Sequence, residues 1–437
     1  MQITKYLIEK YMGGFIDRLV EDKYTENLWE MYGTTEKIFP RTLVETAMRA
    51  KQGTPLERPF GTPQHFSPWY KLLFNPVHLF KMPTVDSVQV DTSVTLGPGA
   101  SKPLTLDIPI MISGMSYGGA LSKKAKIALA RGASLMGTAT NSGEAPLLEE
   151  EREAACYFIG QYNRGGWMTG DMLQKLDMVE IQVGQGAQAG APMKTKSNKI
   201  GPEFRKSFHL NKGQNALIDG RLPGINSAED FIELVKRLKE KVDVPVGLKF
   251  AATHHLEKEL AIAVEAGVDF ITVDGAEAGT HGGPTILEDH FGLPTLHALC
   301  RTVTFLEKEG LKDKISVIAS GGLLTPGHYL KALALGADAV YIGTIAVMAM
   351  VSSQIKKTVP WEPPTELVLY SGKQKNELDV DKASLNLAYY LKSCVKEMEL
   401  AIKALGKEKI SEVDKKDLCA LTEEVAKITG VELVYLP

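Results

Sequence analysis

Two glycine-bearing strand ends and one lysine carry the clearest chemical signal in this sequence. Gly321-Gly322 follows the apolar run 316–319, and Gly343-Thr344 follows the run 339–342. Backbone N–H groups with no Cβ in the way, at two consecutive strand ends, suit the place where a barrel holds a phosphate, and Ser320 would add a side-chain donor. Either pair alone reads as turn geometry only. Lys249 closes the apolar stretch Val246-Gly247-Leu248. A lysine is costly there unless something negative meets it: a ligand or, in the plainer reading, a carboxylate such as Glu180 or Asp274.

The other strand ends suggest what the phosphate belongs to. They offer Met115 and Ser116 at the first strand, Asn141 and Ser142 at the second, Gln161 at the third and Gln182 at the fourth. Flavin mononucleotide (FMN) needs small residues against its ring, amide partners for its pyrimidine edge and a cation near N1 and O2. Lys249 fits that cation, with a part in both binding and catalysis. His281, in Gly279-Thr280-His281-Gly282-Gly283-Pro284, is a candidate proton donor titrating near neutrality. Its loop resembles the His-Gly-Gly-Arg loop of flavin 2-hydroxy-acid oxidases, with Pro284 in place of the carboxylate-binding Arg. The adjacent His254 and His255 cannot both face one point, so at most one is functional.

These residues need elements to position them. Eight apolar runs, at 108–112, 135–141, 157–161, 179–183, 246–251, 270–273, 316–319 and 339–342, are separated by turn residues and helical stretches. Eight strand-then-helix units over about 240 residues predict an α/β fold, a (β/α)8 TIM barrel with its active site at the carboxyl ends of the strands. The barrel is expected over residues 106–350. A helical and Pro/aromatic-rich extension (1–105) precedes it, and a linker with a helical tail (351–437) follows.

Within the extension, Ile3, Leu7, Tyr11, Phe15, Ile16 and Leu19 keep near-helical spacing, and Gly13-Gly14 is a candidate break. Packing on the barrel or on a second subunit, which would make a homo-oligomer, is the plain reading of that helix; a membrane-surface anchor is the other. Residues 54–83, with six prolines and five Phe or Trp, suit an irregular strap over a surface. Val85, Val88, Val90 and Val94 before Leu96-Gly97-Pro98-Gly99 predict a strand pair or a strand and turn. The Lys-, Gly-, Asn- and Pro-rich stretch 186–222 leaves from the catalytic face, which favours a lid or substrate loop over a plain insertion. Ser227 with Asp230 caps a helix over 227–241. In the tail, helices are expected at 383–405 and 414–429.

The motifs match a family when taken in order. Residues 109–119, the turn Thr140-Asn141-Ser142-Gly143-Glu144, Glu180-Ile181-Gln182 with Gln185-Gly186-Ala187, Asp274-Gly275-Ala276-Glu277 with Gly279-Thr280, and Ser320-Gly321-Gly322 lie along residues 85–350. Together they resemble the FMN-binding domain of glutamate synthase, in particular the short archaeal-type, glutamate-synthase-related proteins. The resemblance implies an FMN-bearing barrel that moves a hydride between flavin and a glutamate or 2-oxoglutarate class amino or imino acid. Carried over by position, it makes Gly114, Met115, Ser116, Asn141, Gln182, Lys249, Gly322, Gly343 and Thr344 flavin ligands and Glu144 a catalytic or substrate-site carboxylate.

The sequence also departs from that pattern. The stretch 348–364, where the family places a three-Cys iron–sulfur motif, has no Cys, so no cluster is expected there. Gln182 and Gln188 stand where the family has Lys, and Gly190-Ala191-Pro192-Met193 replaces a Gly-Glu-Gly-Gly run. Losing cations weakens the case for a dicarboxylate substrate. Met1-Gln2 offers no N-terminal Cys, so no glutaminase domain is expected, and ammonia would be free or supplied by a partner. A flavin oxidoreductase on another substrate stays open, as does an FMN-bearing electron-transfer subunit. A sugar-phosphate barrel without flavin is the remote alternative. Either flavoprotein reading needs an external electron donor: ferredoxin, NADPH or a partner flavoprotein.

Composition narrows the classes. A net charge of −3 across 437 residues gives no reason to expect nucleic acid. No apolar run reaches the roughly 18 residues of a membrane span. Cys156, Cys300, Cys394 and Cys419 show neither disulfide nor metal spacing, so no metal is expected and a reducing cytoplasm is the default.

Overall fold

The computed structural model describes residues 2–23, 40–58, 61–279, 283–357 and 365–435. Residues through Glu57 and residues from Arg58 onward form two compact units. The first contains helices Gln2–Glu21 and Pro40–Gln52. The expected break at Gly13-Gly14 does not occur, because glycine inside a helix costs about 1 kcal/mol but does not forbid it.

The second unit is the expected barrel. Its strands are β1 (Ile110–Ile112), β2 (Ala139–Asn141), β3 (Tyr157–Tyr162), β4 (Met178–Gln182), β5 (Val246–Ala251), β6 (Phe270–Asp274), β7 (Ser316–Ser320) and β8 (Ala339–Ile342). All pair in parallel in the order β1-β8-β7-β6-β5-β4-β3-β2. Between β1 and β2 a side chain closes the seam, Thr138 Oγ1 donating to the Ile110 carbonyl at 2.8 Å.

Alternation along the strands divides the barrel interior into two layers. Met111, Ala139, Ile159, Met178, Phe270, Ile318 and Ala339 form one apolar cluster with Leu96, Leu104 and Leu106. Those leucines belong to an antiparallel hairpin, Val94–Leu96 with Leu104–Leu106, that plugs the amino-terminal end. Its turn needs Gly97, at φ +63°, where a Cβ would come within 2.5 Å of Pro245. Two residues further along the strands the inward positions turn polar: Asn141, Gln161, Glu180, Lys249, Thr272 and Ser320. The apolar layer closes one end, so ligand chemistry is confined to the other.

Outside the barrel, Ser227 and Asp230 form the expected capping box on helix Ala228–Lys239. The stretch 186–222 folds into a short ribbon, Met193–Thr195 against Ala216–Ile218, with helix Pro202–Ser207 between its strands. The tail helix is Val380–Ala404, and it lies so close on helix Lys123–Ser134 that a Cβ at Gly132 would come within 2.8 Å of Leu387. The helix expected at 414–429 is shortened to Glu423–Thr429. Leu418–Ala420 instead pairs antiparallel with Leu72–Phe74 of the proline-rich strap, so strand pairing outweighs the local helical spacing. No described helix is long and apolar enough to cross a membrane.

Candidate functional site

The polar layer is organised by Glu180, a fully buried carboxylate on β4. Its Oε1 accepts from Asn141 Nδ2 at 2.9 Å and Gln161 Nε2 at 2.8 Å, and its Oε2 from Thr272 Oγ1 at 2.8 Å. Asn141 Nδ2 also reaches the Tyr341 hydroxyl at 3.2 Å. Burial, reinforced by the Glu180 charge, pushes the Tyr341 phenol well above its ordinary value, so it stays protonated. On this platform Lys249 stands opposite Gln182 on β4 and Thr272 on β6. Its Nζ lies 3.7 Å from Asp274 Oδ2 and 5.5 Å from the centroid of the Tyr341 ring.

Glu144 sits on a turn that only glycine permits. Asn141 Oδ1 accepts the Gly143 N–H at 2.9 Å, and Gly143, at φ +66°, presses on the backbone of Met115 and Ser116. A Cβ there would come within 2.5 Å of Ser116 N. From below, Lys126 Nζ donates to the Asn141 carbonyl at 2.8 Å and lies 2.9 Å from the buried Glu151 carboxylate. Glu144 itself pairs with fully buried Arg164, Nε to Oε1 at 3.2 Å, and accepts from Gln185 Nε2 at 3.3 Å. Burial raises the Glu144 pKa against the opposing pull of Arg164 and then Lys249.

At β7 and β8 the backbone is left open. The N–H groups of Gly321, Gly322, Leu323 and Gly343 meet no acceptor among the described residues, and Thr344 starts a helix whose first N–H groups have no internal partner. Gly321 and Gly322 adopt φ +116° and +64°. A Cβ at Gly322 would strike Glu277 Cβ at 2.6 Å. That carboxylate is itself fixed, taking the N–H and hydroxyl of Thr295, both at 2.8 Å.

One cavity of about 730 Å³ at the carboxyl ends of the strands joins these features. Of the residues singled out from the sequence, Gly114, Met115, Ser116, Glu144, Lys249, Ser320, Gly321, Gly322, Gly343 and Thr344 line it. Asn141, Ser142, Gln161 and Gln182 are buried outside its lining. The Ser142 hydroxyl is occupied by backbone, accepting from Gln161 N and donating to the Gly143 carbonyl, each at 2.9 Å. Among the described residues, the side-chain oxygens Oε1 of Gln182 and Oε1 of Gln161 have no hydrogen-bond partner. His254 and His255 are exposed and line no part of the cavity, while His281 lies outside the described residues. No cluster of three or more His, Cys, Asp or Glu among the described residues could hold a metal.

Sequence reasoning missed Glu180 as the organising group, Arg164 as partner of Glu144, and Tyr341. Alternation along β4 and β8 would have pointed Glu180 and Tyr341 inward. Arg164, in Asn163-Arg164-Gly165-Gly166 just past β3, carried only its position as a signal.

The architecture is that of a barrel enzyme with its pocket at the strand ends. The chain resembles the flavin-binding domain of baker's yeast flavocytochrome b2, with a TM-score of 0.51 and 21% identity, over 84% of this chain and 79% of that one. It also resembles a mutant of an (S)-mandelate dehydrogenase chimera, at 0.53 and 14%, over 86% and 94%. These likenesses are of fold. The conserved region in glutamate synthase matches residues 80–408, and the chain belongs to the glutamate synthase family. It is 33% identical to a glutamate synthase large subunit-like protein of Rhizobium meliloti, over 90% of this chain and 93% of that protein. To the archaeal glutamate synthase [NADPH] of Methanocaldococcus jannaschii it is 36% identical over 56% of this chain, which spans about half of that enzyme (49%).

Proposed function

We propose that the chain is an FMN-dependent oxidoreductase that moves a hydride between flavin and an amino or imino acid, drawing on or feeding an external electron carrier. The observation that carries this reading is the joining, in one cavity, of four backbone N–H groups without acceptors among the described residues and a buried lysine. Gly321, Gly322, Leu323, Gly343 and the first turn after Thr344 would hold the phosphate. Lys249 would stand at the electron-rich edge of the ring, and the side-chain oxygens of Gln182 and Gln161, without a hydrogen-bond partner among the described residues, are the kind of group its pyrimidine edge takes. When bound, FMN supplies the two-electron chemistry that no protein side chain here can perform.

The chain's own residues do the rest. Oxidation of CH–NH2 to the imine releases a hydride and a proton, and reduction of the imine consumes both. Glu144 would take or return the proton at the substrate nitrogen; burial favours its protonated form and the Arg164 charge opposes that. Gln185 and Arg164 fix the carboxylate plane, and Glu180 fixes the layer beneath. Gentle reconstitution of the purified protein with FMN tests the reading. A yellow protein that bleaches anaerobically with an amino acid supports it; a protein that retains no flavin sinks it.

A further inference from the structure

The ribbon inserted after β4 gives the cavity a wall whose chemistry describes the substrate. Resting on the flavin reading above, we propose that the substrate is an amino, imino or 2-oxo acid with an aromatic or large aliphatic side chain and no second carboxylate.

The wall is apolar by construction. Register pairs Met193 with Ile218 and Thr195 with Ala216, and these four line the cavity while Lys194 and Leu217 between them are exposed. Beside the ribbon, Phe208 stacks on Phe204 at 4.0 Å and 8°, and Trp167 meets Phe208 edge-on at 4.7 Å and 70°. The stack is anchored, because Phe204 lies on Gly118 so closely that a Cβ there would come within 2.0 Å of the ring. Rings held this way offer a third ring the offset and edge-on contacts that aromatic groups prefer.

Charge points the same way. Lys249 is the one Lys or Arg among the described lining residues, against the carboxylates of Glu144, Asp274 and Glu277. Arg164 is fully buried against Glu144, and Gln188 presents a neutral amide. A substrate with a second carboxylate would bring a second anion to a wall that holds no cation for it, and burying an unpaired charge is costly. An apolar side chain there instead gains about 25 cal/mol for each Å² removed from water.

Calorimetric titration of the purified protein, with and without added FMN, tests this with two probes: phenylpyruvate, with one carboxylate and a ring, and 2-oxoglutarate, with two carboxylates. Phenylpyruvate should bind at least about tenfold tighter. Phe208→Ala should lose about tenfold of that affinity, and Met193→Lys, on the partly exposed ribbon, should strengthen 2-oxoglutarate binding without changing FMN uptake. Equal or tighter binding of 2-oxoglutarate by the unaltered protein overturns the assignment. So does unchanged phenylpyruvate affinity in a folded Phe208→Ala variant or, should that variant not fold, unchanged 2-oxoglutarate affinity in Met193→Lys. A protein that takes up FMN yet prefers 2-oxoglutarate refutes the substrate class and leaves the flavin reading standing. One that refuses FMN refutes the flavin reading whichever acid it prefers.

Discussion

Lys249 Nζ stands 3.7 Å from Asp274 Oδ2, beyond hydrogen-bond reach, while that same oxygen accepts the Gly186 N–H at 2.9 Å. The lysine is therefore only loosely neutralised by protein, which separates it from an ordinary buried ion pair. Replacing it with Met keeps most of the volume and removes the charge. Lys249→Met is expected to bind FMN at least about tenfold more weakly and to lower the potential of the flavin it retains, with folding stability little changed. Flavin titration, redox titration and thermal melting check the three parts. Unchanged affinity and potential would remove Lys249 from the site.

Glu144 makes the second prediction. Glu144→Gln keeps the shape and the contact with Gln185 but holds no transferable proton, so turnover should fall by about a hundredfold or more with flavin content intact. The pH profile carries the sign. Burial raises the Glu144 pKa, so a reaction that needs its ionised form should lose rate on acidification at a pH above the ordinary carboxylate range. Arg164→Gln removes the chief opposing charge and should move that limb to still higher pH. A limb at the same pH in both proteins would dissociate Glu144 from it.

What the sequence disclosed and what it hid divide along physical lines. Strands β5 to β8 and the glycine ends at Gly321-Gly322 and Gly343-Thr344 were readable because buried parallel strands are apolar throughout and glycine marks tight backbone. Glu180 was not, because a carboxylate in a strand looks the same whether it pairs with a lysine or organises three neutral donors. The ribbon within 186–222 was hidden because its strands are only three residues long, too short for an alternation to stand out. The strand Leu418–Ala420 was hidden because its partner, Leu72–Phe74, lies more than 300 residues away.

Lys126 and Glu151 are both fully buried beneath the Glu144 turn, and burial pushes the Glu151 carboxyl up to about 7 from 4.5. The folded state then binds the proton more tightly than the unfolded chain. This contribution to stability is complete below about pH 4.5 and is lost as pH rises through about 7, up to roughly 3 kcal/mol. Melting curves from pH 5 to about 7.5 should show the loss in the parent protein and a flatter dependence in Glu151→Gln. Parallel profiles would show that Glu151 does not titrate in that window. Lys126→Met removes the charge that opposes burial, so Glu151 should stay protonated to still higher pH and the loss of stability should move above that window.

The glycine cradle makes the last prediction, through two glycines of unlike surroundings. Gly322 sits at φ +64° with Glu277 Cβ 2.6 Å from any added methyl, whereas a Cβ at Gly343 would meet only Ser113 Cβ at 3.7 Å, an ordinary contact. Gly322→Ala should therefore both lower the melting temperature and weaken FMN binding by about tenfold or more, since the backbone must shift where the phosphate would lie. Gly343→Ala should leave the melting temperature near that of the parent, so any loss of FMN affinity in it reports on the phosphate site alone. Inorganic phosphate should compete with FMN in the parent and compete less well in Gly322→Ala, which separates a damaged anion site from a damaged ring site. If both alanine variants bind FMN as the parent does, the open N–H groups of Gly321, Gly322, Leu323 and Gly343 do not hold its phosphate.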